Sequence, residues 1–442
     1  MQRLMGPGWK LAHKDVDRLV DKMSLSLSTI IGPGETVGVY ADISRESVLV
    51  VLALIRHGQR IAILPQREPA SVLEHWCHAL GLTKVLFTCA PVGFCPPGIM
   101  CIDTLQLLSS PQQVGRDVML GAPCATILRT SGTTATPKTA VISEKAHRAS
   151  AEAVGQFFNF KEGDSWALNL PLYHVSGLSI IFRALAANAG IFVAKTADDL
   201  CYAVNERLVT HLSLVPTQLK RLLESSVDLS GLKAIIVGGD ELPEALKSQA
   251  LLRALPIYET YGLTETASMI WARDCRNGQA GIVLPHAFIK LAVDREILVG
   301  GSSLFDGYLE ADHEILAGPL FKTGDLSDDL FSTDRPLITG RKSNRIIVGG
   351  ENVQVEEVER ILEKHPAIMK SVVIGKKDSV YGMRPVAYVK WCGEPIGDEE
   401  LTAYLIAHLA RHKIPTAFLP WPTGTPDGIK KPRSWFLSQN DI

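Results

Sequence analysis

One pattern dominates the first half of this chain. Short apolar runs bounded by turn residues alternate with longer segments of helical spacing. Residues 35–40 (ETVGVY) read as a strand, and 44–57 as a helix with Ser44 as N-cap and Gly58 just past its end. Residues 60–64 form the next strand, which Pro65 stops, followed by a helix over 71–80 and a strand over 84–88. The alternation resumes later, with strands at 165–170, 190–193, 211–215 and 232–237 and helices at 175–186, 200–206 and 217–225. Strands separated by helices need crossover connections, which produce parallel sheets covered on both faces. The expected class is α/β, a large N-terminal domain of doubly wound parallel-type sheets.

From about residue 285 the texture changes to short strand-like segments between acidic and glycine-rich turns, a small β-rich subdomain over about 285–335. A basic knot, Arg341-Lys342-Ser343-Asn344-Arg345, comes next. Beyond it a helix over 355–364, strands over 371–375 and 385–391 and a helix over 398–411 describe a small α+β domain. The expected division is 1–340 and 341–442, and 442 residues suffice for both.

With 46% hydrophobic and 21% charged residues, the composition is that of a globular protein. A formal net charge of −2 argues against non-specific nucleic-acid binding, which needs a basic surface. The first residues lack an apolar signal region, and the most apolar run, 48–55, is too short to cross a bilayer. No integral membrane segment and a cytoplasmic location are therefore expected. The eight cysteines include no C-x-x-C pair, and Cys89, Cys95 and Cys101 have no histidine at zinc spacing, so all eight read as reduced.

Chemistry concentrates in turns. Residues 130–138 (TSGTTATPK) follow a buried strand-like run, 122–128, and precede another, 140–142. Hydroxyls and backbone N–H groups together suit phosphate oxygens, and Lys138 adds a charge suited to a polyphosphate. An ordinary polar turn is the alternative. The Walker loop is excluded, because Pro137 stands where its second glycine must be and has no N–H to donate. Gly238-Gly239-Asp240-Glu241 ends the strand 232–237, where open α/β sheets bind ligands, although a tight turn also explains its glycines. Residues 258–265 (YETYGLTE) offer a ring for a base and Glu265 for Mg²⁺, against a plain buried tyrosine and solvated glutamate. Asp325 in a turn suits a ribose, with Arg341 able to share that site. Residues 427–431 (DGIKK) carry two lysines, and His174 opens a helix.

Together and in this order, these segments resemble the acyl-adenylate-forming enzymes, which include acyl-CoA and aryl-CoA synthetases, luciferases and peptide-synthetase adenylation domains. The resemblance runs from about Val37 to the end and rests on 130–138, YGLTE 261–265, TGD 323–325, GR 340–341, GGENVQVEEVE 349–359 and GIK 428–430. Segments 170–177 (LPLYHVSG), 211–223, 261–268, 349–362 and 381–387 look most like ligases whose acid is an aromatic dicarboxylate.

The resemblance implies ATP, CoA and a small carboxylic acid as substrates, with Mg²⁺. It places Thr130, Ser131, Gly132, Thr133, Thr134 and Lys138 on the triphosphate. Gly239, Asp240, Glu241 and Tyr261 would form the adenine pocket, Thr264 would meet the α-phosphate and Glu265 the metal. Asp325 and Arg341 would hold the ribose. Lys430 matches the catalytic lysine, with Lys431 as its rival. His174, grouped with Lys430 and Thr264 as catalytic, would also border the acid with Ser176, Gln218, Arg221 and Gly262. Arg221 is the expected anchor for a second carboxylate. Gly349, Gly350 and Glu351 would help form the CoA tunnel. The small domain would rotate about a hinge near 341–344, and a homo-oligomer is compatible with all of this. The chain departs from the family pattern at Ala135, where glycine is usual, and at Ser343 and Asn344, where an acid is common. An adenylating enzyme serving a carrier protein and a non-catalytic binding homologue are the competing readings.

Overall fold

The computed structural model describes residues 1, 3–32, 34–89, 94–109, 124–130, 138–309, 319–328, 338–422 and 433–438. Its described residues group into two compact units. One runs to Phe288 and includes Gly300–Phe321; the other comprises Ile289–Val299 and the residues from Lys322 onward.

Two sheets organise the first unit. Nine strands form the larger, in the order Ile282–Val283, Ser268–Asp274, Ile257–Leu263, Ala234–Val237, His211–Leu214, Ser165–Leu168, Gly190–Val193, Arg3–Gly6 and Trp9–Ala12. Its middle is parallel, from Ile257–Leu263 to Arg3–Gly6, and its outer pairs are antiparallel. The second sheet has seven strands, in the order Gly307–Tyr308, Thr139–Ser143, Ala125–Arg129, Arg60–Ile63, Thr36–Tyr40, Lys84–Phe87 and Met100–Asp103. This is the expected α/β class.

Local signals explain the helices that cross between strands. Ser44 caps helix Arg45–Arg56 by accepting the Ser47 N–H at 3.2 Å, and eight consecutive residues of that helix, Ser47–Leu54, are buried. Helix Val175–Ala186 is buried from Gly177 to Ala184. Helices buried on all sides belong between layers. Both helices contribute to one apolar core that also takes in Val37, Ile61, Leu128, Trp166 and Ile191 from the two sheets. Each fully buried aliphatic side chain there contributes about 1.5–3 kcal/mol.

In the second unit, strands Arg345–Val348, Glu351–Gln354, Ile368–Asp378, Gly382–Trp391 and Phe418–Pro420 make a five-stranded sheet. Helices Val355–Leu362 and Asp398–Ile406 cover it through Val358, Leu362, Leu401 and Leu405. A four-stranded sheet of Ala287–Leu291, Glu296–Gly301, Phe321–Ser327 and Ile338–Arg341 falls largely in this unit. Among the described residues no helix is long and apolar enough to cross a membrane.

The cysteine reading needs one correction. Cys95 is bonded to Cys101, with Cα atoms 6.2 Å apart. The chain leaves strand Lys84–Phe87 and returns to start its parallel neighbour Met100–Asp103, so the return path brings Cys95 beside the edge strand. Burial pushes the Cys77 and Cys124 thiols up to about 12 and that of Cys275 to about 11, which keeps them unreactive at neutral pH.

Burial also lowers three histidines, His147 to about 3 and His211 and His286 to about 4. The unfolded chain protonates histidine near 6.5, so below that pH it binds more protons than the folded protein. Stability is then fully present above about pH 6.5 and is lost as pH falls toward 4, by about 3 kcal/mol for His211 alone. The thermal midpoint is expected to fall steadily from pH 7 to about 4.5, with a shallower slope in His211→Asn. A midpoint constant across that interval would rule out neutral burial.

Candidate active site

The expected phosphate loop begins and ends on the second sheet. Thr130 N–H donates to the Lys138 carbonyl at 2.7 Å, and the Thr130 hydroxyl reaches the same oxygen at 3.2 Å. This pinch closes the loop at its base. Ser131, Gly132, Thr133 and Thr134, with Ala135 and Pro137, lie outside the described residues, as do Lys430 and Lys431.

Tyr308 connects that base to Glu265, in the turn that follows strand Ile257–Leu263 of the other sheet. Strand Gly307–Tyr308 pairs antiparallel with Thr139–Ser143. Lys138 Nζ sits 4.7 Å from the centre of the Tyr308 ring, and the Tyr308 hydroxyl donates to Glu265 Oε1 at 2.5 Å. The Phe305 N–H holds the Glu265 carbonyl at 2.9 Å. The expected triphosphate lysine and the expected metal carboxylate therefore share one tyrosine. Tyr308 was missed from the sequence, where a Gly-Tyr pair in a two-residue strand gives no periodic signal. Among the described residues no three or more His, Cys, Asp or Glu side chains are grouped for a metal. One carboxylate with a fixed oxygen fits Mg²⁺, which takes one or two carboxylates together with phosphate oxygens and water.

Close packing shapes the segment around Glu265. Strand Ile257–Leu263 bulges between Tyr261 and Gly262. A Cβ on Gly262 would stand 2.2 Å from the Ser268 carbonyl oxygen, so only glycine fits. Thr264–Thr266 is a single 3-10 turn, pinned by the Thr266 hydroxyl, which accepts from Leu263 N–H at 2.9 Å and lies 2.7 Å from the Ser268 carbonyl. Ala267 and Ser268 follow with φ of 52° and 120°, costly values for residues with a Cβ, and such strain gathers at functional sites. Tyr261 is half-buried. At the neighbouring strand end, a Cβ on Gly238 would stand 2.6 Å from Thr260 Oγ1, and Gly239 has φ +82°. Asp240 and Glu241 are exposed there, at the carboxyl end of a parallel strand.

The expected acid-binding residues come from three segments of the same unit. His174 stands at the N-cap position of helix Val175–Ala186, its ring 4.6 Å from that of Tyr173. A Cβ on Gly177 would lie 2.3 Å from the Pro171 carbonyl oxygen, so this turn closes only with glycine. Gln218 accepts the Val215 N–H at 3.2 Å, and Arg221 is exposed on the same helix, Pro216–Glu224. Seven residues beyond Ser176, and so on the same face of its helix, lies Arg183.

Arg183 was not singled out from the sequence. It is 1% exposed, and its Nη2 donates to Ser268 Oγ at 2.8 Å. Its Nε and Nη1 have no hydrogen-bond partner among the described residues. Burial lowers the guanidinium to about 9, so it still carries its charge at neutral pH. The available signal was a lone charge inside an otherwise apolar helix, VSGLSIIFRALA.

The second unit carries the remaining expected residues. Asp325 and Arg341 face each other on paired strands, and Arg341 Nε donates to Asp325 Oδ1 at 2.6 Å. Gly349 and Gly350 form the two-residue turn between Arg345–Val348 and Glu351–Gln354, with φ of 57° and 89°. Both glycines in the left-handed region fit the tight turn preferred in hairpins. Glu351 is exposed beside them.

A strained turn, a lysine and a carboxylate sharing one tyrosine, and glycines at strand ends are features of a nucleotide-binding α/β enzyme. The profile of the AMP-binding enzyme family matches residues 4–309, and that of the AMP-binding enzyme C-terminal domain matches 357–422. The chain belongs to the AMP-binding enzyme family. It is 32% identical over 406 residues to the 2-succinylbenzoate–CoA ligase of Salmonella typhimurium, covering 89% of this chain and 85% of that one. With the enzyme of the same name from Bacillus licheniformis it shares 30% over 410 residues, 87% and 85% of the two chains. The fold matches o-succinylbenzoate CoA synthetase from Bacillus subtilis in complex with the acyl-adenylate intermediate OSB-AMP, with a TM-score of 0.86, 25% identity and coverage of 99% and 95%. The same Bacillus enzyme in complex with ATP and magnesium ion matches with a TM-score of 0.83 and 25% identity, covering 95% and 93%.

Tyr308→Phe keeps the ring under Lys138 and removes only the hydroxyl. It is expected to weaken Mg²⁺-dependent ATP binding by about tenfold, the worth of one hydrogen bond to a charged group. Calorimetric titration checks this, and an unchanged Kd would take Tyr308 out of the site.

Proposed function

We propose that this chain is an ATP-dependent, AMP-forming ligase that joins o-succinylbenzoate to CoA, a step of menaquinone synthesis. The observation that carries the choice of acid is the buried guanidinium of Arg183, whose Nε and Nη1 have no hydrogen-bond partner among the described residues. A buried charge without a partner is costly, and an arriving carboxylate removes that cost. o-Succinylbenzoate brings two carboxylates, one to react and one to be held. Arg221 is the alternative anchor, but it is exposed and offers a screened contact. Arg183 shares a helix face with Ser176 and a hydrogen bond with Ser268, three residues beyond Glu265.

A free carboxylate is a poor electrophile, because its charge is delocalised and oxide is a poor leaving group. In the first half-reaction one carboxylate oxygen bonds to the α-phosphorus of ATP as the bond from that phosphorus to diphosphate breaks. In the second, the CoA sulfur bonds to the acyl carbon, the bond to AMP breaks and the thiol proton is released. Positioning and charge compensation account for most of such catalysis. The hydroxyls of 130–134 and Lys138 hold the triphosphate, and Thr264 meets the α-phosphate. Gly239, Asp240, Glu241 and Tyr261 bind the adenine, while Asp325 and Arg341 take the ribose. Glu265, oriented by Tyr308, is the carboxylate for Mg²⁺, which when bound offsets phosphate charge. Lys430 lies between carboxylate and α-phosphate in the first step. His174, Ser176, Gln218 and Gly262 border the acid, and Gly349, Gly350 and Glu351 serve CoA. In functional terms the chain divides at 340, with a hinge over 341–344. The enzyme acts in the cytoplasm and is compatible with a homo-oligomer.

Diphosphate release from ATP with o-succinylbenzoate and Mg²⁺ is the direct test. Turnover with benzoate or a fatty acid, and none with o-succinylbenzoate, would overturn the choice of acid. A carrier protein acting in place of free CoA would reassign the acceptor, and tight ATP binding without diphosphate release would mean a non-catalytic homologue. Lys430→Ala is expected to slow adenylation by about two to three orders of magnitude. An unchanged rate in that variant, with loss in Lys431→Ala, would move the role to Lys431.

A further inference from the structure

The indole of Trp166 lies under the Arg183 guanidinium, whose central carbon is 4.7 Å from the ring centre. Both side chains are fully buried. An aromatic face attracts a cation most strongly when both are out of water, and tryptophan does so best. The ring is itself fixed from several sides. Its Nε1 donates to Ser213 Oγ at 3.0 Å. The His211 ring lies against it at 5.1 Å and 28°, and Phe160 meets it edge-on at 5.0 Å and 81°. His211 is held in turn by the Phe158 carbonyl at 3.1 Å and the Thr210 hydroxyl at 2.8 Å. A planar cation resting on an immobilised ring keeps its orientation without using its N–H groups. Arg183 spends only Nη2, on Ser268, and keeps Nε and Nη1 unpartnered among the described residues.

We propose that Trp166 is a positioning residue for acid recognition: its ring face holds the Arg183 guanidinium in the orientation that receives the second carboxylate. This rests on the reading of Arg183 as the carboxylate anchor. A carboxylate partner from the protein would fix the arginine equally well, but it would also neutralise the charge the ligand needs. An aromatic platform holds the cation and leaves its charge available.

The test compares KM and kcat for adenylation of o-succinylbenzoate with those for benzoylpropionate, the same keto acid without its ring carboxylate. Trp166→Met fills the space without a π face, and Trp166→Phe restores the face without the N–H. Trp166→Met is expected to raise the o-succinylbenzoate KM about tenfold or more and leave kcat and the benzoylpropionate KM within about twofold; Trp166→Phe should recover most of the loss. Ser213→Ala, which removes only the indole's partner, should stay near the parent. Site-specific fluorinated tryptophans at 166 weaken the π face without changing its shape, so they give the answer even if the methionine variant does not fold. KM for o-succinylbenzoate should then climb with fluorine content. Equal KM changes for both acids, or no trend with fluorination, would overturn the role of Trp166. Arg183→Met separates the two readings: if it leaves both acids untouched, the anchor itself is wrong, whereas a selective loss there with silent Trp166 variants removes only the platform.

Discussion

A guanidinium sealed in an apolar interior is costly, and its surroundings in the large unit are arranged to keep it there. Arg183 finds no carboxylate among the described residues; a ring face, one serine hydroxyl and histidines held neutral by burial surround it. Protonated histidines at those places would add repulsion, as the influence of Arg183 on His211 and His286 indicates. The unit thus carries a stored positive potential in a low-dielectric place, where a carboxylate is attracted far more strongly than at the surface. The same arrangement sets both the stability of this core and its readiness to accept a negative charge.

Elsewhere in this unit the two sheets are linked through side chains. Strand Gly307–Tyr308 belongs to the smaller sheet but reaches Glu265, which follows the strand Ile257–Leu263 of the larger. Lys138 over the tyrosine ring completes the link. Carboxyl ends of parallel strands are natural ligand sites, because the chain turns there and leaves backbone groups unpaired. Here the turns are further shaped by Gly262, where the main chain leaves no room for a Cβ, and by Gly238, where a Cβ would crowd the Thr260 hydroxyl.

What the sequence made legible was what is decided locally. The expected strand 35–40 is Thr36–Tyr40, and the helix expected to start at Ser44 runs Arg45–Arg56 with that cap in place. The helix expected over 398–411 stops at Ile406, and Arg411–Lys413 forms a separate 3-10 turn after it. The N-terminal hairpin of Arg3–Gly6 and Trp9–Ala12 went unread, because each strand is four residues long and owes its place to pairing with Gly190–Val193. Within the site, turn chemistry marked 130–138, 238–241 and 261–265, since hydroxyls and glycines signal through their own residue types. Tyr308, Arg183 and Trp166 did not, because each owes its contacts to neighbours far away in the chain. The Cys95–Cys101 bond belongs with them, as it depends on a return path that no spacing rule supplies.

Gly177 carries a consequence for how such a scaffold diversifies. With carbonyl oxygens of Leu170 and Pro171 2.5 and 2.3 Å from where a Cβ would be, the first turn of its helix is clamped to the segment that delivers His174. That corner cannot be reshaped by substitution, because any side chain there displaces main chain rather than a flexible neighbour. Variation in this region must instead run through neighbouring side chains such as that of Ser176. The clamp makes this piece of backbone heritable and leaves the side chains around it open to selection.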